Sequence, residues 1–178
     1  MASAFGHAVV AIALGKSFSQ KHISWLVILV GVICTIVPDL DVIAFKFGIP
    51  YESFWGHRGF SHSILFALLF GILCAICFSL RRFSWKVFCF LWSFFFLCTV
   101  SHALLDAMTN GGLGVALFSP WDDTRYFLPW RPIAVSPIGV ERFFSEWGLK
   151  VLRSEVLWIG LPSAVLAVGS IAIRKLSK

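Results

Sequence analysis

The sequence predicts an all-α fold: a polytopic membrane helical bundle of about five membrane segments, with an irregular interfacial segment before the last helix. Three observations carry this. Of the 178 residues, 58% are hydrophobic and only 13% charged, against roughly 45–50% apolar and about 25% charged in soluble domains. Mean hydropathy is +0.86. The apolar residues fall in runs close to the ~17–25 residues that a spanning helix needs. The length suits a single domain over residues 1–178.

Taken in order, residues 2–14 form a short apolar stretch that carries His7 and ends at Gly15-Lys16. The first fifteen residues lack a basic start and a cleavage site, so this stretch is expected to stay in the fold. Residues 24–37 are apolar and stop at Pro38, which removes a backbone donor. Residues 63–80 are uncharged and bounded by Arg81-Arg82. Residues 87–108 are interrupted only by His102 and Asp106, near their end. Residues 156–173 close at Arg174-Lys175. Between the last two runs, residues 109–155 hold Gly111-Gly112, Pro120, Pro129, Pro132 and Pro137, and Trp121, Trp130 and Trp147. Such Pro and Gly content breaks a continuous helix, and the aromatics suit the headgroup level. Residues 139–152 read as a short interfacial amphipathic helix.

If all five runs span, Lys16, Lys21, Arg81, Arg82, Lys86, Arg174, Lys175 and Lys178 share one side with no acidic residue. The positive-inside rule makes that side cytoplasmic. The net charge of +6 then reports topology and lipid contact rather than nucleic-acid binding. His22 belongs to this basic side as a loop residue. The five cysteines, including the Cys74-x-x-Cys77 pair, lie in apolar runs and read as packing residues, as does Phe94-Phe95-Phe96.

His7, Asp39, Asp41, His57, His62, His102 and Asp106 then all fall at the opposite face. Such groups are costly in a membrane without a partner, and a metal ion is an economical one. His102 and Asp106, four apart, project from one helix face. Asp39 and Asp41, after the proline, are expected in an extended or turn geometry that places alternate side chains together. His57 and His62 flank Gly59, which allows a turn. Four imidazoles and three carboxylates exceed one zinc site and suggest two divalent ions, zinc or manganese, about 3.5–4 Å apart and bridged by one aspartate. Asp41 is the candidate for orienting a histidine or accepting a proton, and Asp41 and Asp106 are the carboxylates assigned to catalysis.

Arg58, between the two histidines, and Arg125, Arg131 and Arg142, in the long segment, are candidate substrate residues, because guanidinium forks bind phosphate oxygens. At a membrane surface the natural substrate is a phosphate-containing lipid or lipid-linked compound. Simpler roles stand beside these. Asp39 and Asp41 are placed to cap a helix, His102 and Asp106 to pair with each other, Arg58 to reach the headgroups, and the other arginines to anchor at the interface. Asp122-Asp123 is assigned to capping or to pairing with those arginines. Two other functions also stay open: hydrolysis of an acyl, amide or glycosidic bond in an envelope lipid, and a non-catalytic metal-stabilised scaffold. A transporter fits less well, since residues 63–80 and 156–173 lack charges in their middles.

The ordered set His7, Pro38-Asp39-x-Asp41, His57-Arg58-Gly59-Phe60-Ser61-His62-Ser63 and Ser101-His102-x-x-Leu105-Asp106-x-x-Thr109-Asn110-Gly111-Gly112 resembles the YdjM/YbcI family of bacterial inner-membrane proteins, described as membrane-bound metal-dependent hydrolases. Phe127-Leu128-Pro129-Trp130-Arg131-Pro132-Ile133 and Ser136-Pro137-Ile138-Gly139 resemble that family too, so the likeness runs from His7 to at least Pro137. It implies a multi-helix fold in a bacterial inner membrane with a metal site on the matching residues. With the charge count, it places the site at the periplasmic face. A weaker likeness, in residue types alone, is to the zinc-dependent phospholipase C and nuclease group.

Overall fold

The computed structural model describes residues 1–18, 22–80 and 83–177. Lys21, Arg81, Arg82 and Lys178, which enter the charge argument above, lie outside the described residues. Helix α1 (Ala4–Ser17) begins at Ser3, whose hydroxyl accepts from Gly6 N. Helix α2 (Trp25–Cys34) is capped in the same way by Ser24. Helix α3 (Ile64–Ser79) is capped by Ser63, which accepts from Phe66 N. Each hydroxyl satisfies one of the backbone donors that a helix start leaves unpaired. Helix α4 (Trp85–Ala107) is the long central helix.

Three helical stretches are long and apolar enough to cross a membrane: Trp25–Phe47, Trp85–Ala107 and Glu146–Leu176. Helices α1 and α3, with 14 and 16 residues, reach roughly 21 and 24 Å at about 1.5 Å per residue, short of a core about 30 Å thick. Among the described residues the five apolar segments are therefore all helices, and three have a full span's length.

Two boundaries differ from expectation. Helix α2 stops at Cys34, ahead of Pro38, but the proline does not end the helical run. After a turn the chain continues as a 3₁₀ helix, Val37–Phe47, with the proline in its first turn, where no donor is needed. Asp39 and Asp41 are thus helical, not extended. The last span also starts earlier. The short α5 (Val140–Phe143) and α6 (Glu146–Glu155) replace the single interfacial helix, and α6 runs through a π-helical stretch (Val156–Gly160) into α7 (Leu161–Leu176). The wide turns precede Pro162, which lacks a donor for the normal ladder.

One core, built from α1 to α4, centres on Ala11, Val27, Cys34, Ala75, Leu91, Phe94, Phe95 and Cys98. Its tight contacts use small residues, as membrane bundles do. A Cβ placed on Gly71 of α3 would sit 3.0 Å from Phe96 N of α4. At the other pole, Ala103, Ala107, Val115 and Leu117 form a second cluster. Ala2, Ile133 and Ile159 form a third. No strand occurs among the described residues; the long segment is pinned by isolated bridges, Thr109 to Ile133 and Val115 to Tyr126. Further bonds fold it over one end of the bundle: Leu128 N donates to Ala107 O, Ile64 N to Leu117 O and Ser136 N to Met1 O.

The Arg174 guanidinium donates to the carbonyls of Lys16, Ser17 and Phe18. The C-terminal ends of α1 and α7 therefore meet opposite His7. We predict that Gly71→Leu lowers stability by about 1–3 kcal/mol, because a packed backbone crossing has no room for the added atoms. Thermal unfolding in detergent measures this.

Candidate metal centre

Four elements deliver their polar side chains to one end of the bundle: the start of α1, the 3₁₀ helix, the loop before α3 and the last turns of α4. Within the 3₁₀ helix each residue turns about 120°, so residues two apart point different ways. Asp39 and Asp41 accordingly flank His62 on separate sides rather than sharing one.

On the first side, Asp39, His62, His102 and Asp106 each offer an atom within 4.8 Å of the others. His62 Nε2 and His102 Nε2 face each other at 2.9 Å. Their other nitrogens fix what these atoms are. His102 Nδ1 lies 2.6 Å from the Thr35 carbonyl, which can only accept, so Nδ1 carries a proton. His62 Nδ1 lies 3.1 Å from Asp41 Oδ2, which is likewise an acceptor. In the neutral tautomers both Nε2 atoms therefore present lone pairs to one another. That contact needs a cation: a shared proton or a metal ion. Two imidazole nitrogens on a tetrahedral zinc lie about 3.3 Å apart, close to what is seen. Asp39 Oδ1 is 3.4 Å from His102 Nε2 and 3.6 Å from His62 Nε2, and it is buried without a hydrogen bond. The donor set fits a divalent ion that accepts mixed nitrogen and oxygen ligands, such as zinc or manganese. Without an ion the carboxylates hold a proton on His62: burial alone would lower its pKa, but Asp39 and Asp41 push it up to about 9.

On the second side, Asp41, His57 and His62 also come within 4.8 Å, but hydrogen bonds already occupy these atoms. His57 Nδ1 is 2.7 Å from Asp41 Oδ1, and Asp41 Oδ2 accepts from Arg58 N and Ser61 Oγ. Asp41 acts here as the orienting carboxylate for two imidazoles. His57 lines a cavity of about 280 Å³ with Tyr51, Gly112, Ser136, Arg142 and Trp147. Burial pushes its pKa down despite Asp41, so the ring is neutral near pH 7.

His7 stacks on His102, with ring centroids 3.9 Å apart. Its Nε2 lies 3.5 Å from Asp106 Oδ1, and neither ring nitrogen has a hydrogen bond. It sits beside the four-residue cluster rather than in it. Asp106 is fully buried. Its Oδ1 accepts from Ala2 N and its Oδ2 from Arg58 Nε.

The arginines divide. Arg58 is corrected from substrate residue to internal counter-ion: it is fully buried and also donates to Gly111 O and Thr109 Oγ1. Its backbone is held at φ 62°, a left-handed conformation rare for a side chain this large. Gly112, at φ 86°, is needed opposite it, since a Cβ there would lie 2.7 Å from Arg58 Nη1. Arg125 is spent on the carbonyls of His57, Tyr51 and Ser53, and so braces the loop instead of meeting substrate. Arg131 is exposed and stacks over Phe127 at 4.6 Å, outside the cavity lining. Only Arg142 borders the cavity. Asp122 and Asp123 serve local turns, through Tyr126, Thr124 and Ser119.

Sequence reasoning missed Glu155. It is 4% exposed, and its carboxylate accepts from Ser3 N at 2.5 Å and Ser3 Oγ at 2.6 Å, anchoring the start of the helix that carries His7. Its only signal was an acid immediately before an apolar run.

A family model described as YdjM inner membrane protein matches residues 1–176. The chain is 38% identical over 166 residues to the inner membrane protein YbcI of Escherichia coli (strain K12), covering 93% of this chain and 95% of that one. No solved structure matches.

Arg58→Lys, although it keeps the charge, is expected to destabilise the fold by roughly 2–4 kcal/mol, because one ammonium cannot reach the three acceptors that the guanidinium holds. Thermal unfolding of the purified variant checks this. A loss under about 0.5 kcal/mol contradicts the pairing.

Proposed function

This chain belongs to the YdjM family of inner membrane proteins, and we propose that it is a metal-dependent hydrolase of a phosphate-containing lipid or lipid-linked substrate. The observation that carries this reading is the 2.9 Å approach of two oriented imidazole nitrogens, flanked by the buried carboxylates Asp39 and Asp106. Asp39, His62, His102 and Asp106 would hold one zinc or manganese ion, with His7 alongside. A second ion on Asp41, His57 and His62 would have to displace the 2.7 Å bond between His57 and Asp41, so a single ion is favoured.

A bound divalent ion lowers the pKa of a water toward ~7 and polarises a phosphoryl oxygen. The chain's own part is proton handling and binding. His57, neutral and held by Asp41, borders the cavity and is placed as general base. It takes a proton from water as the water oxygen bonds to phosphorus. It then returns that proton to the alkoxide as the phosphorus–oxygen ester bond breaks. Asp41, which held the catalytic assignment in sequence, becomes its orienting partner. Asp106 holds the ion and fixes Arg58 rather than moving a proton. Arg142 is placed to bind phosphate oxygens. The site faces the periplasm in this reading, supported by the basic residues Lys16 and Arg174 at the opposite end.

Four outcomes are expected. Metal analysis of the purified protein gives a stoichiometry near one; a value near two selects the bridged alternative, and no metal removes the hydrolase reading. His102→Ala loses ion and phosphate release together, whereas Asp41→Asn keeps most of the ion and loses about 10–100-fold in rate. Because His62 is protonated at pH 7, metal uptake releases a proton, and affinity falls about tenfold per pH unit below 9. Calorimetry in buffers of different ionisation enthalpy reads this; proton-independent uptake excludes His62 as a ligand. Asn110→Cys, exposed beside the site, gains labelling over the parent chain by an impermeant thiol reagent added from the periplasmic side; labelling only after lysis inverts the orientation.

A further inference from the structure

Beside the cavity at His57 lies a second one of about 340 Å³, lined by Met1, Ser3, Ala4, Phe5, Ser136, Pro137, Gly139, Phe143 and Phe144. We infer that this apolar groove between the start of α1 and α5 holds the hydrocarbon tail of an anionic, phosphate-headed lipid whose headgroup occupies the cavity at His57. The inference rests on the proposed hydrolase site and names the chemical class of its substrate.

The two cavities adjoin, since Met1, Ser136 and Pro137 line both. Their chemistry is graded along that path. The inner cavity presents His57 and Tyr51, and Arg142 stands at its edge. Arg142 also lines the open recess beyond, with Phe45, Ile138, Gly139 and the acidic Glu141. The groove then presents Phe5, Phe143 and Phe144. An amphiphile with a charged head and an apolar tail has the same order of groups. The rings of Phe5 and Phe143 lie 5.9 Å apart, which brings α1 and α5 together along one wall. Phe5 is 62% and Phe144 81% exposed, so the groove opens outward through aromatic side chains, as suits an interfacial helix beside lipid. A lone soluble phosphate ester would use the polar half and leave this wall without a purpose. The Arg142 guanidinium, which lines the His57 cavity and the recess beside it, selects an anionic head over a zwitterionic or neutral one by charge complementarity. Ala4, the smallest side chain of α1 in the lining, leaves the space that the tail needs.

The test uses the full-length protein in phosphatidylcholine nanodiscs and a hexadecyl phosphate carrying a diazirine midway along its chain. Irradiation and peptide mapping are expected to place adducts on the segments containing Phe5 and residues 143–144. Unlabelled hexadecyl phosphate should displace them and hexadecanol should not. Ala4→Trp, which fills the groove, is expected to cut the yield by about fivefold, the equivalent of one or two lost methylene contacts. Arg142→Gln should cut it similarly. If Ala4→Trp disturbs α1, seen as lost metal, Phe143→Ala decides instead, with the same expected loss. Adducts confined to the outward faces of α3 and α7, displacement by hexadecanol, or unchanged yields in these variants overturn the assignment. Labelling needs no turnover, so groove adducts on a protein that releases no phosphate would retire the hydrolase reading and leave the lipid site standing. Phosphate release without groove adducts would do the reverse.

Discussion

A fully buried carboxylate inside an apolar bundle organises this molecule. Asp106 sits at 0% exposure, and an uncompensated charge there would be prohibitively costly. The fold answers with a guanidinium on one oxygen and a backbone amide of the N-terminal segment on the other. Arg58 meets it from a left-handed backbone, and that conformation is held by Asp41 at Arg58 N and by Ala116 N at Arg58 O. The side chain then reaches Thr109 and Gly111, which start the long segment. One charge thus draws α1, α4, the loop before α3 and the covering segment to the same end of the bundle.

The histidines inherit their geometry from that arrangement. Ala2 on Asp106 and Ser3 on Glu155 fix the first turn of α1, and so bring His7 onto His102. Thr35 O and Asp41 set the tautomers of His102 and His62. Each ring is aimed through the nitrogen it does not offer. This is how a protein presets ligands before an ion arrives. Such presetting places lone pairs against each other, so the site favours a cation. The second imidazole pair, His57 with Asp41, is satisfied internally and faces a cavity, which suits proton transfer more than ligation.

The arginines teach a narrower lesson. Four of them looked equivalent in sequence, since each could bind phosphate. Three already have other work: Arg58 with Asp106, Arg125 with three carbonyls, and Arg131 against Phe127. Guanidinium groups are as readily used to satisfy buried acceptors as to bind ligands. Sequence has no means of seeing which carbonyls a fold leaves without donors.

By itself, the sequence determined the helical membrane character, the apolar helices and the grouping of His and Asp residues at one end. These follow from composition, run length and the position of each motif within its run, all of which are local. Residue spacing also exposed the shared face of His102 and Asp106. Only the tertiary structure decided the rest. It showed that the chain coils into a 3₁₀ helix from Val37, through Pro38, dividing Asp39 from Asp41, and that Glu155 anchors α1 from the far end of the chain. It also placed Arg58 inside and Arg142 at the edge. These depend on which distant groups must satisfy one another once water is excluded, and that pairing is a property of the packed chain rather than of any segment.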